Sequence, residues 1–80
     1  MRLDKYLKVS RIIKRRTVAN DACDGSHISV NGRPAKASYQ VKAGDIIEIK
    51  LGARISKFKV LDVREHVQKN DAAEMYEVIE

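Results

Sequence analysis

Residues 28–36 read ISVNGRPAK, and at this stretch the chain changes from helical to strand periodicity. Its first three residues alternate apolar and polar side chains, as in a strand with one buried face. Asn31-Gly32 follows, and this dipeptide favours a two-residue hairpin because both residues tolerate positive φ. Pro34 cannot donate a ladder hydrogen bond, so we predict that residues 33–37 return as a short edge strand.

Upstream of this stretch, the apolar residues follow helical spacing. Leu3 and Leu7 lie four residues apart, which predicts a short helix over residues 2–9. A second helix is predicted to begin at Thr17, because its hydroxyl can cap a first turn. The same helix is predicted to end at Gly25 in the left-handed conformation that helix ends often adopt.

Downstream, alternating segments and turns continue the strand pattern. A turn is predicted at residues 41–45, and a helical turn at residues 71–75. The predicted strands are residues 46–51 and 57–63, joined around Gly52, and residues 76–79, the last as a short strand or a packed tail. These elements make an α+β fold, in which two short N-terminal helices pack on a small, mostly antiparallel sheet of about four to five strands.

The length supports one folded unit. Eighty residues form one domain with one modest core. We expect residues 1–80 to be a single domain, which ends in a C-terminal strand and acidic tail over residues 52–80.

Positive charge is concentrated at the N-terminus. The first sixteen residues carry seven Lys/Arg side chains and one carboxylate, a net charge of +6 in a chain whose total is +5. Such a surface indicates a polyanionic partner, because affinity for phosphates grows with each counterion displaced. We therefore predict an RNA-binding module. The cations are Arg2, Lys5, Lys8, Arg11, Lys14, Arg15 and Arg16, and the carboxylate is Asp4.

Both predicted helix starts place cations where free backbone N–H groups already attract anions. If the two helices pack side by side, one groove is lined by Arg2, Lys5, Arg16 and Asn20. Asp4 is predicted to hold one of the arginines by a bidentate pair, or to stabilise the start of its helix.

The sequence lacks the sets of residues that several classes of function require. The sequence contains no glycine-rich phosphate loop and no nucleophile with a paired base, so we predict no enzyme and no cofactor. His27 and His66 lack the spacing of metal ligands. Cys23 is the single cysteine and cannot form an internal disulfide, and no apolar run is long enough to span a bilayer. These features predict a cytoplasmic protein without a membrane partner.

Four blocks follow one another along the first part of the chain: RLDKYL, Arg16-Thr17-x-Ala19, ISVNGRPAK and VKAGDIIEI. With these blocks in this order, the chain resembles the ribosomal-protein-S-four-type RNA-binding domain, also called the αL motif. The resemblance covers residues 1 to about 51 without a gap. The family usually has glycine two residues before the first strand, where this chain has Ser26.

Among stand-alone chains of this size, the sequence is similar to the bacterial group of heat-shock protein fifteen and RqcP. That resemblance implies binding to large-subunit rRNA and peptidyl-tRNA on obstructed ribosomal subunits. It also implies support for a companion RqcH-like factor that adds alanine tails to stalled chains. We expect the chain to be ribosome-associated and monomeric. The candidate RNA-binding residues are Arg2, Lys5, Lys8, Arg11, Lys14, Arg15, Arg16, Asn20, Asn31, Arg33 and Lys36.

Other interpretations stay open at this point. The same basic surface would serve general ribosome assembly or tRNA handling. Alternatively, the acidic tail would act as a protein-interaction surface. Helix-turn-helix DNA binding is disfavoured, because the exposed face of the second helix is poor in cations. Tyr39, in a loop near Lys36 and Lys42, either stacks on a base or packs against the hairpin. The acidic residues of the tail are Asp71, Glu74, Glu77 and Glu80.

Overall fold

Two helices lead into five strands in the computed structural model, which describes residues 1–65, 67–68 and 70–79. His66 and Glu80 therefore lie outside the described residues. A 3₁₀ turn separates the last two strands. The elements are α1 (Leu3–Val9), α2 (Arg16–Asp24), β1 (Ile28–Val30), β2 (Arg33–Pro34), β3 (Ile46–Leu51), β4 (Arg54–Val60), the 3₁₀ turn (Ala72–Met75) and β5 (Tyr76–Val78).

The strands form one antiparallel sheet in the order β2-β1-β3-β4-β5, which confirms the predicted α+β architecture. Asn31 and Gly32 join β1 to β2 with φ angles of 54° and 82°, as the hairpin signal requires. The edge strand is shorter than predicted, since only Arg33 and Pro34 pair with β1. The chain then leaves the sheet and buries Ala35 and Ala37 in the core.

The prediction for β4 was wrong at both ends, because the strand runs from Arg54 to Val60. Its start is early because Leu51 and Arg54 pair directly across a two-residue turn, in which Gly52 has a φ of 63°. The side chains at this end are exposed, so the strand shows no alternation of buried and exposed residues there. The strand ends at Val60, because the next amide, that of Leu61, donates to the Met75 carbonyl and not to a neighbouring strand.

The predicted signals at the two ends of α2 were also wrong. The helix begins at Arg16, so Thr17 lies inside its first turn, and no side chain caps that turn. At the other end, Gly25 has a φ of −83°, and the left-handed residue is Ser26 with a φ of 62°. Gly25 is required for a different reason. A Cβ atom there would approach the Asp21 carbonyl oxygen and the His27 ring to 3.0 Å.

The core lies between the helices and one face of the sheet. Leu3, Tyr6 and Leu7 are fully buried from α1. The small residues Ala19 and Cys23 are the buried positions of α2, which lets the two helices approach closely. The 3₁₀ turn completes this core, because the Tyr6 hydroxyl donates to the Met75 carbonyl over 2.8 Å. The two ends of the chain therefore share one core.

The segments predicted at the C-terminus are both present. The predicted helical turn is the 3₁₀ turn, and the short strand predicted as one alternative is β5. Burial of Cys23 raises the pKa of its thiol to about 11, so this side chain is an unreactive core group. No helix among the described residues has the length and apolar character needed to cross a membrane.

Candidate nucleic-acid interface

The N-termini of α1 and α2 meet at one buried carboxylate. Asp4, in the first turn of α1, is only 2% exposed. Its Oδ1 accepts hydrogen bonds from Arg2 Nε at 3.2 Å and from the Lys5 amide at 2.8 Å. Its Oδ2 accepts from Arg16 Nε at 3.2 Å and from Asn20 Nδ2 at 3.4 Å. We call Arg2, Asp4, Arg16 and Asn20 the helix-tip cluster.

This geometry corrects the predicted bidentate pair. Asp4 holds two arginines, one on each oxygen, because the adjacent helix starts bring a guanidinium to either side of it. The second predicted role is present as well, since Asp4 accepts from the Lys5 amide near the helix start. Lys5 does not join the cluster, because its ammonium group pairs with the Glu65 carboxylate.

The hydrogen bonds keep Asp4 ionised. Burial would raise the pKa of this carboxyl, but the hydrogen bonds from Arg16, Asn20 and Arg2 outweigh it, so the pKa lies below its usual value. The side chains of Arg2 and Arg16 are 47% and 48% exposed. Two oriented cations therefore face solvent from a fixed anionic base, which is an arrangement suited to binding phosphate oxygens.

A second basic group lies at the other end of α1. A groove there is lined by the three cations Lys8, Arg11 and Lys14, together with Val9, Glu65 and Val67. Arg11 has a φ of 65°, the left-handed conformation that favours glycine, and its amide donates to the Lys8 carbonyl. The chain therefore places a large cation where a small residue would close the helix more easily. We call this the helix-end groove.

A second buried carboxylate, which the sequence analysis missed, lies beside the hairpin in the residue before β3. Asp45 is 8% exposed and accepts hydrogen bonds from Asn31 Nδ2 (3.1 Å), the Tyr39 hydroxyl (2.9 Å) and the Lys42 amide (3.0 Å). The Asn31 side-chain oxygen accepts from the Ile46 amide. Asn31, a candidate RNA ligand, therefore has both ends of its side chain engaged in holding the hairpin.

The same hydrogen bonds shift the pKa values of Asp45 and Tyr39. Burial alone would raise the pKa of Asp45, but the bonds from the Lys42 amide, Asn31 and Tyr39 lower it. In return, the hydrogen bond to Asp45 raises the pKa of the Tyr39 hydroxyl. The Tyr39 ring is half-buried and packs against the core.

The remaining candidates are more isolated. Arg15, Arg33 and Lys36 are exposed, and their side chains donate to neither Asp4 nor Asp45. Two acidic residues that bind candidate residues, Glu65 and Asp45, could not be recognised from the sequence. Glu65 lies sixty residues from Lys5, and Asp45 follows a glycine in what reads as an ordinary turn.

Acid is expected to destabilise the fold through these two carboxylates. The folded-state pKa values of Asp4 and Asp45 are depressed, so their stabilisation is complete above the unfolded value of 3.8. It is lost as pH falls below that value and through the lower folded-state values. Urea unfolding monitored by circular dichroism at several pH values should therefore show a falling midpoint below about pH 4. Asp4→Asn should reduce this dependence, and an unchanged profile would contradict the assignment.

The chain is similar to a known domain family and to several named proteins. The S4 domain model matches residues 1–47. A Streptococcus pneumoniae protein named RQC P-site tRNA stabilizing factor is 54% identical over 79 residues, covering 99% of this chain and 90% of that protein. A protein of the same name from Halalkalibacterium halodurans is 49% identical, covering 98% and 89%. A structure described as trimeric, Vibrio cholerae Heat Shock Protein 15, superposes with a TM-score of 0.88 at 26% identity, covering 98% and 80%.

Proposed function

The chain belongs to the S4 domain family, and we propose that it is a non-catalytic RNA-binding factor of ribosome-associated quality control. In this role it binds rRNA and tRNA on obstructed large ribosomal subunits that still carry peptidyl-tRNA. It supports a companion RqcH-like factor that adds alanine tails to the stalled chain. The relatives named RQC P-site tRNA stabilizing factor, at about half identity over nearly the whole chain, support this role.

The observation that carries the proposal is the helix-tip cluster. Arg2 and Arg16 are fixed by Asp4 before any ligand arrives, so little side-chain entropy remains to be lost when a phosphate binds. A planar guanidinium suits the geometry of phosphate oxygens, and hydrogen bonds between charged groups are stronger than neutral ones. The cluster therefore provides a rigid binding site for the nucleic-acid backbone.

Other cations extend this surface. In our proposal the helix-end groove of Lys8, Arg11 and Lys14 binds further phosphates along the same RNA. Five more candidates contribute around these two sites, with Asn31 acting mainly through the shape of the hairpin. They are Lys5, Arg15, Asn31, Arg33 and Lys36.

We also propose that the chain works as a monomeric single domain, associated with ribosomes in the cytoplasm. The shared core supports the single domain, because the C-terminal 3₁₀ turn packs against α1. Residues 1–51 would then not suffice for folding. The tail beyond β4 would serve the core first, with any protein contact through its acidic residues as a secondary role.

Binding to large subunits is expected to fall steeply with salt. If about five phosphates are neutralised, affinity should drop by roughly 500-fold between 50 and 200 mM salt. The measurement is co-sedimentation of the protein with large subunits carrying peptidyl-tRNA, with empty large subunits as the control. A flat salt response would contradict phosphate binding. Equal affinity for empty subunits would favour general ribosome assembly instead.

A further inference from the structure

We infer that the cavity beside Tyr39 binds an unpaired nucleobase of the RNA. This inference rests on the proposed function. It adds a second class of ligand, an unpaired base of single-stranded RNA, to the phosphate backbone already proposed. The cavity has a volume of about 500 Å³ and lies between the β1-β2 hairpin and the segment that follows it. Its lining residues are Val30, Asn31, Arg33, Pro34, Ala35 and Tyr39.

Tyr39 is held by three hydrogen bonds, one from its side chain and two from its backbone. Its hydroxyl donates to Asp45 Oδ2 over 2.9 Å, its amide donates to the Lys36 carbonyl over 3.0 Å, and its own carbonyl accepts from the Leu3 amide over 2.8 Å. An aromatic side chain fixed in this way loses little conformational freedom when a base stacks on it. The hydroxyl is engaged with the protein, so a ligand would meet the exposed part of the half-buried ring and not this group.

The chemistry of the lining fits a nucleotide. Apolar walls come from Val30, Pro34 and Ala35, and the exposed guanidinium of Arg33 supplies a cation for the adjoining phosphate. The negative charge of Asp45 is turned inward, because both of its oxygens accept hydrogen bonds from the chain. A cavity with both apolar and polar lining beside a cation suits a base and its phosphate better than it suits a cationic or acidic peptide.

The position of the cavity connects it to the helix-tip cluster. Gln40, the residue after Tyr39, forms a β-bridge with Arg2. Arg2 and Tyr39 therefore lie on neighbouring segments of the chain, and in our proposal one RNA strand reaches both the helix-tip cluster and the cavity. The other aromatic side chains are engaged elsewhere. Tyr6 is fully buried, and Phe58 and Tyr76 pack edge to face with ring centroids 5.5 Å apart.

Two variants of Tyr39 separate stacking from structure. Tyr39→Leu keeps an apolar side chain but removes the aromatic face, and Tyr39→Phe keeps the face but removes the hydrogen bond to Asp45. Affinity is measured at fixed salt for a short single-stranded RNA and for a duplex of the same sequence. We expect Tyr39→Leu to lose roughly tenfold for the single strand and to change little for the duplex. Tyr39→Phe should lose much less than Tyr39→Leu for the single strand, because it keeps the aromatic face, and should change little for the duplex.

Several outcomes would overturn the inference. One is that the unmodified protein does not bind the single strand. Another is that Tyr39→Leu loses affinity equally for single strand and duplex. The third is that Tyr39→Leu and Tyr39→Phe lose the same affinity for the single strand. Should Tyr39→Leu fail to fold, photocross-linking of the unmodified protein to bromouridine-substituted RNA replaces it. The adduct is expected on Tyr39, and an adduct confined to other peptides would refute the site. Large-subunit binding by the unmodified protein tests the proposed function separately, so the two failures are distinguishable.

Discussion

Replacing Arg16 by Ala is expected to weaken binding to obstructed large subunits by roughly 10- to 100-fold. The reason is the loss of a charge-assisted hydrogen bond to phosphate, which contributes about 1.5–3 kcal/mol. The fold should survive, because Asp4 keeps its hydrogen bonds from Arg2, Asn20 and the Lys5 amide. The measurement is co-sedimentation with large subunits carrying peptidyl-tRNA, with circular dichroism to verify folding.

Arg54→Ala is the matched control for this experiment. Arg54 is an exposed arginine at the start of β4, outside the predicted RNA surface, so its removal makes the same change in net charge. A general electrostatic effect would weaken both variants alike, and that result would refute a specific site at the helix tips. Loss of folding in Arg16→Ala would instead make the arginine a structural residue.

Replacing Tyr6 by Ala is expected to unfold much of the population. Tyr6 is fully buried, and removing a buried aromatic side chain costs about 3–5 kcal/mol. A domain of this length has a total free energy of unfolding of about 4–12 kcal/mol. Urea unfolding followed by circular dichroism should therefore show little or no folded baseline at low denaturant.

Tyr6→Phe is the control, and it isolates the hydroxyl. Its expected cost is about 1 kcal/mol, because the Met75 carbonyl still accepts from the Leu61 amide at 2.8 Å. The pair of variants also tests whether residues 1–80 fold as one unit. In that case hydrogen exchange in β5 and in α2 should accelerate together in Tyr6→Ala. Acceleration in β5 alone would indicate that the C-terminal segment folds separately.

The features that the sequence predicted well are local ones. The Asn31-Gly32 hairpin depends on the φ preferences of two adjacent residues, and those preferences act wherever the dipeptide occurs. The first helix follows from the spacing of Leu3 and Leu7, both of which are fully buried. The start of β4 was missed because Arg54 and its neighbours are exposed, so pairing with β3 defines the strand without an apolar pattern.

The candidate site was predictable in part for a similar reason. Three of the four residues predicted to share a groove do converge, since helix starts packed side by side bring Arg2, Arg16 and Asn20 to one point. The fourth, Lys5, is drawn to Glu65, a partner sixty residues away that only the folded chain brings near. Contacts between distant segments carry no signature in spacing or composition. The buried hydrogen bonds of Asp45 were missed for the same reason, since Asn31 lies fourteen residues from it in the sequence.

The way in which Asp4 engages its two partners explains why those positions call for arginine. Each guanidinium faces the carboxylate through its Nε atom, and each retains two terminal amino groups for a second acceptor. A lysine also has three donors, but they sit on one nitrogen at the end of a flexible stem and form no planar fork. A relative carrying lysine at either position would keep the positive charge but would hold it less rigidly toward a second acceptor.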